Sequence, residues 1–480
     1  RPNNVDFRPS CKSAAPDMFD FGRFSPIVVP HHDRPDHNHA PGLPNFRRHW
    51  TKISTLVFAG GPPMEILGNT FASLLAQPKL LVGLALAALV AIRFAPRIRR
   101  WFRHDVASLI DKDAARRFEI TLRDSDPELD YVDEIETDLG TLIDADRWDL
   151  VHSLLAAWEN DRAKTPFGTM FHQIGAEVAL KPLLDIADAE TATGIRPSTN
   201  LLDRTVGAFA ARMAAAPDDH VAAVLAARAH IAAGWAARGD GPITSVSEED
   251  FMRMSHHYDS AERILSPFAD AGSSLVAEAR YFVCLGLEDG GTLIRRRFED
   301  WVALDPEDVR PWQVHGFHLL PRWFGDLDEI EAEARRAAEA TAPRRGAAGY
   351  VIFHGGILSC AGAETRTRID PALFVRSALD RARTAGSQWG VNRMGEFLMQ
   401  AMLESAGETR EVYRDGLVRL VHDHLRVLVP SAWSSPAEDV RWELARLFKP
   451  QLDGGALVRV GARGVEILPA EDALEATAAA

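Results

Sequence analysis

His315 and His318 stand three residues apart, a spacing that puts two imidazoles on one face of a helix and so supplies half of a metal site. No third ligand accompanies them, so the pair reads as a packed or capping pair, with no metal and no catalytic residue assigned. His256-His257 and His422-Asp423-His424 are weaker still, because adjacent and alternate helical residues point in different directions. The densest group of ligand types is His31, His32, His37 and His39 with Asp33 and Asp36. Neutral imidazole suits Zn, Ni or Cu, but a proline-broken tract has nothing to orient its rings, and only adventitious binding is expected there. Cys284 lies in the apolar run Tyr281 to Leu287 and reads as a small core residue. Cys360, between Gly355-Gly356 and Gly362, has no adjacent base, and with Cys11 the three cysteines form neither a ligand spacing nor a disulfide framework. The acidic block Asp124 to Glu136 reads as a solvated helix start, since carboxylates favour a first helical turn. Phosphate loops, zinc-protease, nucleophile-elbow and dinucleotide motifs are missing, so no cofactor is expected.

The elements that would position these residues follow from the rest of the chain. With 480 residues, 46% of them hydrophobic and 25% charged, it has ample material for a large core. A net charge of −14 removes the diffuse positive field on which nucleic-acid binding rests, so no nucleic-acid partner is expected.

Residues 1–63 are rich in proline and histidine and carry no helical or alternating pattern, which reads as a disordered leader or an over-extended reading frame ahead of Met64. Residues 64–103 read as a membrane anchor with a basic flank. Leu80 to Ile92 is uncharged and apolar all round, but at ~1.5 Å per residue it covers only about 20 Å of the roughly 30 Å of hydrocarbon. A span therefore recruits neighbours, over about 78–95, with Lys79 and Arg93 reaching the headgroups. Arg93, Arg97, Arg99, Arg100 and Arg103 follow the run, so the expected placement is the inner (cytoplasmic) membrane, single-pass, with the main domain in the cytoplasm. The competing reading is a wholly soluble cytoplasmic protein with a buried or surface helix here.

From 104 to 450 apolar residues recur at helical spacing and almost never alternate, which predicts an all-α domain of helical hairpins. Trp148, Val151, Leu155 and Trp158 make one stripe; Leu202, Val206, Phe209 and Met213 a second; Tyr258, Ala261, Leu265 and Phe268 a third. Breakers at 216–219, 238–242, 289–291 and 304–308 fix short connections, with Asp305-Pro306 expected as a cap and first helical residue. Pro217, Pro267, Pro306 and Pro343 are each expected to open a unit. Residues 451–480 read as a small β-hairpin, Ala456 to Val460 and Val465 to Leu468, and a tail.

The stretch VALDPEDVRPWQVHGFHLL resembles the helix-ending Leu-Asp-Pro of tetratricopeptide repeats. Trp235 to Gly239 with Val246 and Phe251, then Leu320 to Gly325, resembles the bacterial domain-of-unknown-function family 4034, a helical-repeat group, over roughly 140–350. Phe324 departs from the small residue expected between Trp323 and Gly325. Membership implies a tetratricopeptide-like α-solenoid and no established activity. Read physically, Trp235 packs one turn before a helix stop at Gly239, Arg238 bonds the last carbonyls, and Arg322 with Trp323 forms a cation–ring corner after Pro321.

These readings converge on a non-enzymatic, membrane-tethered scaffold or adaptor that binds a protein or peptide, with Trp235, Arg238, His315, His318, Arg322 and Trp323 as candidate binding residues. The alternative is an enzyme, or an enzyme-associated domain, with its site in the solenoid concavity near His315, His318 and Arg322.

Overall fold

A computed structural model describes residues 115–187, 198–239, 246–358 and 362–470. The expected leader at 1–63, with its histidine tract and Cys11, the apolar run 80–92 with its arginine flank, and Cys360 lie outside the described residues. From Arg117 onward the described chain belongs to one compact unit. Among the described residues no helix is long and apolar enough to cross a membrane.

The unit is mostly helical, with a small three-stranded sheet. Strand β1 (Phe118–Ile120) is followed by α1 (Pro127–Asp144), α2 (Trp148–Asn160), α3 (Phe171–Ala187), α4 (Thr199–Ala215), α5 (His220–Arg238) and α6 (Glu248–Leu265). Next come α7 (Ser274–Val283), α8 (Gly290–Leu304), α9 (Val309–His318), α10 (Leu327–Arg345), α11 (Ala348–Gly355) and the short α12 (Ala363–Arg368). The last elements are α13 (Pro371–Arg383), α14 (Gln388–Glu404), α15 (Gly407–Asp423), α16 (Ala437–Leu447), α17 (Lys449–Asp453) and the strands β2 (Leu457–Gly461) and β3 (Gly464–Leu468).

Several helices begin where an Asp or Ser side chain takes a free N–H group of the first turn. Asp219 caps α5, Ser247 α6, Ser273 α7, Asp308 α9, Asp326 α10 and Ser387 α14. Each of the three apolar stripes is inward-facing: Val151 and Leu155 on α2, Leu202, Val206 and Phe209 on α4, and Tyr258, Ala261 and Leu265 on α6 are buried. One stripe cannot bury itself, so nearly every helix packs on its sequence neighbour. A second pattern runs through the unit. Helices α1, α3, α5 and α7 pack each on the next, as do α9, α11, α13 and α15.

Several expectations are corrected. Asp305 is the last residue flanking α8, where its carboxylate accepts the Glu307 N–H in a turn, and Asp308 is the cap of α9. Pro343 opens no unit; it lies in the last turn of α10. The block Asp124 to Glu136 is only partly solvated, because Asp126 and Glu128 are buried. The stretch after 104 is not helical throughout, since it contains β1.

That strand joins the two ends of the unit. It runs parallel to β2, with Phe118 opposite Val458 and Ile120 opposite Val460, while β2 and β3 form the expected antiparallel hairpin. Gly464, with φ +102°, supplies the left-handed turn residue. Beyond β1, Leu122 bridges Leu428. Asp126 then caps two helices at once: one oxygen accepts the Glu128 N–H at 3.0 Å and the other the Trp389 N–H at 3.0 Å.

Candidate functional site

The six residues singled out from sequence lie in one cluster around α5, α7 and α9. Gly239 takes φ +75° and its N–H bonds the Trp235 carbonyl, so α5 stops there, and Arg238 donates to the Gly239 carbonyl at 2.8 Å. The Arg238 guanidinium lies 5.0 Å from the centre of the Trp235 ring, and Trp235 meets Trp323 at 6.1 Å between ring centres. Trp323 in turn stands edge-on to His318 at 5.8 Å. Arg322 is exposed and lies over Phe317 at 5.2 Å, so the cation–ring corner forms on that ring.

The two histidines have a specific partner. The Tyr281 hydroxyl stands 3.0 Å from His315 Nδ1 and 3.1 Å from His318 Nδ1, and the His315 ring stacks on Phe298 at 3.8 Å. Both imidazoles are buried, and burial holds both below the usual histidine range, His318 at about 3. Neutral rings fixed by one hydroxyl and aromatic faces are packed core parts. Among the described residues no group of three or more His, Cys, Asp or Glu is placed to hold a metal ion. Cys284 is buried, which pushes its thiol up to about 11 and leaves no thiolate at neutral pH.

A denser polar centre, invisible to motif searching, lies beside this cluster where α2, α3, α5, α7 and α9 converge. Glu159 accepts from Ser273 Oγ and the Leu275 N–H, both at 2.8 Å, and pairs with His220 Nε2 at 3.0 Å. Burial alone would raise this carboxyl, but the hydrogen bonds from His220, Leu275 and Ser273 outweigh it and hold Glu159 at about 2. It is an ionised cap on the N-terminus of α7, supplied by another helix. One layer deeper, Arg310 of α9 donates to Glu278 of α7 at 2.6 Å and to Glu177 of α3 at 2.8 Å. Gln173 donates to Asp308 at 2.8 Å. Burial pushes the Asp308 carboxyl up to about 7, against the Arg310 N–H and Gln173 hydrogen bonds.

Ser274 Oγ lies 2.9 Å from His172 Nε2 and 3.1 Å from Glu159 Oε1. The hydroxyl has one proton for two neighbours, and the ionised Glu159 is the stronger acceptor, which leaves Ser274 accepting from the His172 ring. A nucleophile needs the reverse, a proton passing to a base near neutrality. The centre is thus built to hold five helices in register. Its unsatisfied groups are His172 Nδ1, Thr169 Oγ1, Gln173 Oε1 and a terminal nitrogen of Arg228, each buried without a protein partner.

The sequence carried a signal for this centre. Thr169, His172, Gln173 and Glu177 recur at helical spacing, and Glu278 and Arg310 are single charges inside otherwise apolar helix faces. Which charge meets which is a tertiary fact. No protein-family model matches this chain, and no curated protein or solved structure is similar to it.

Proposed function

We propose that the chain is a tetratricopeptide-like helical-repeat scaffold, akin to the family its Trp-Gly motifs resemble, that binds a protein or peptide partner without catalysing a reaction. The observation that carries the reading is the alternating packing, in which α1, α3, α5 and α7, and again α9, α11, α13 and α15, stack in succession while most helices pack on their neighbour in sequence. That is how stacked hairpins present an extended surface. Support for a binding surface comes from α4 and α6, which flank α5: Leu201, Phe251 (50% exposed) and Met252 (62% exposed) stand on their N-terminal turns. The tether in this proposal is the apolar run within 78–95, at the cytoplasmic membrane.

Capture experiments with the full chain test the reading. Recovery of one stoichiometric protein, lost with the double variant Phe251→Ser, Met252→Ser, is the expected outcome. Turnover of a metabolite by the purified chain, with no protein recovered, overturns it in favour of the enzyme alternative. Fractionation of the chain with and without residues 64–103 tests the tether; equal solubility of both forms rejects it.

A further inference from the structure

A cleft of about 70 Å³ lies between α7, α8 and the loop that joins α6 to α7. Ala277 and Arg280 of α7, and Arg297, Asp300 and Leu304 of α8, line it at three- and four-residue spacing, so each helix turns one face to the space. Ser273 and Arg297 are buried and form the floor, Arg280 is half-buried, and Asp300 is exposed at the mouth.

Two of the polar groups on this lining are already committed. Arg297 donates to the Arg280 carbonyl at 2.6 Å and to Glu262 at 2.8 Å, and the carboxylate balances its charge. The Ser273 hydroxyl donates to Glu159 and accepts the Val276 N–H. The other two groups are uncommitted. Among the described residues the Arg280 guanidinium makes no hydrogen bond and no ion pair, and its Nε is buried without a partner. Asp300 has neither kind of partner among the described residues. Although both border the same cleft, they do not pair with each other, so one uncommitted cation and one uncommitted anion face a shared space.

We propose that this cleft binds a small α-amino acid as its zwitterion, with the carboxylate on Arg280 and the ammonium on Asp300. A guanidinium fork offers paired N–H donors to a carboxylate, and an ammonium donates in turn to the aspartate. Both ligand charges are met, so neither loses its hydration without compensation. The volume sets the size. At about 10–15 Å³ for each water, the cleft has room for roughly five to seven, close to the heavy-atom count of glycine or alanine. Ala277 and Leu304 give it apolar wall that suits a Cα or a methyl group. The site stands independently of the partner proposed above, because it needs only a free small molecule.

The test uses the full chain with glycine and L-alanine as ligands and acetate, methylammonium and L-leucine as comparisons, each followed by calorimetry at neutral pH and constant ionic strength. Saturable binding of glycine or L-alanine is expected, at least about tenfold tighter than that of either single-charge probe or of L-leucine. Arg280→Gln and Asp300→Asn should each weaken binding by about tenfold or more, the loss of one charge-assisted contact. Arg296→Gln, at an exposed cation of the same helix, should leave binding unchanged. No binding of either amino acid, acetate bound as tightly as glycine, or equal binding by wild type and Asp300→Asn would each overturn the proposal. Circular dichroism separates a lost site from a lost fold, and the exposed Asp300 position keeps the test decisive should Arg280→Gln unfold.

Discussion

Asp308 shows how one buried atom set ties ionisation to stability. Its carboxyl sits at about 7 in the fold, against an ordinary value near 3.8 in the unfolded chain. The folded state therefore binds the extra proton, and the stabilising contribution, complete below pH 3.8, is lost as pH rises to about 7. Asp308→Asn should remove this slope. An Asn side chain still caps α9, and a rotated Gln173 amide would then offer its unpartnered Oε1 to the new NH2 group. The variant should match wild type near pH 4 and exceed it at pH 8 by at most about 4 kcal/mol, read from denaturant midpoints at the two pH values. A variant weaker than wild type at pH 8 would mean that the negative charge is needed beside Arg310. The His230–His257 pair titrates with the opposite sign. Their Nδ1 atoms meet at 3.1 Å, burial holds His230 at about 4, and stability carried by the neutral rings is lost as pH falls from 6.5 to about 4.

Among the helices, two glycines of identical local status should respond in opposite directions to the same change. Gly175, on α3, faces side chains of both α1 and α2: an added methyl would overlap Leu155 and stand 2.9 Å from Leu139 and 3.0 Å from Trp158. Gly175→Ala should cost about 1–3 kcal/mol in urea unfolding through overpacking. Gly140, on α1, has nothing within 4 Å of the same position, and Gly140→Ala should gain about 0.5–1 kcal/mol of helix propensity. The contrast also shows what sequence could reveal. Spacing disclosed the stripes on α2, α4 and α6, the stop at Gly239 and the hairpin at the C-terminal end, because each is a local pattern. It missed β1, three residues long and paired with a strand far along the chain, for which no local pattern exists. The candidate cluster followed the same division: Trp235 and Arg238 lie where their helix end put them, whereas Arg322 chose Phe317 and both histidines chose Tyr281. The centre around Glu159 and Arg310 escaped entirely, since a lone charge on an apolar face gives no hint of its partner.

Across the unit, the decisive feature is that its first strand, β1, is bonded to β2, near the other end of the described chain. Asp126→Ala should release the N-termini of α1 and α14 together, at a cost of about 2–4 kcal/mol for two caps in a buried setting. Hydrogen exchange provides the check: the amides of Glu128 and Trp389 should lose protection in parallel. Independent behaviour of the two would show that the closure is not cooperative. The same bonding makes synthesis an awkward moment. Glu119 and Arg459, which pair across β1 and β2, are separated by 340 residues. At ribosomal speed, β1 leaves the exit tunnel roughly 20–70 s before its mate exists. For that interval an apolar strand edge, with Phe118 and Ile120 on it, waits uncovered. A nascent chain of this protein therefore has reason to engage a holding chaperone until its last segment emerges.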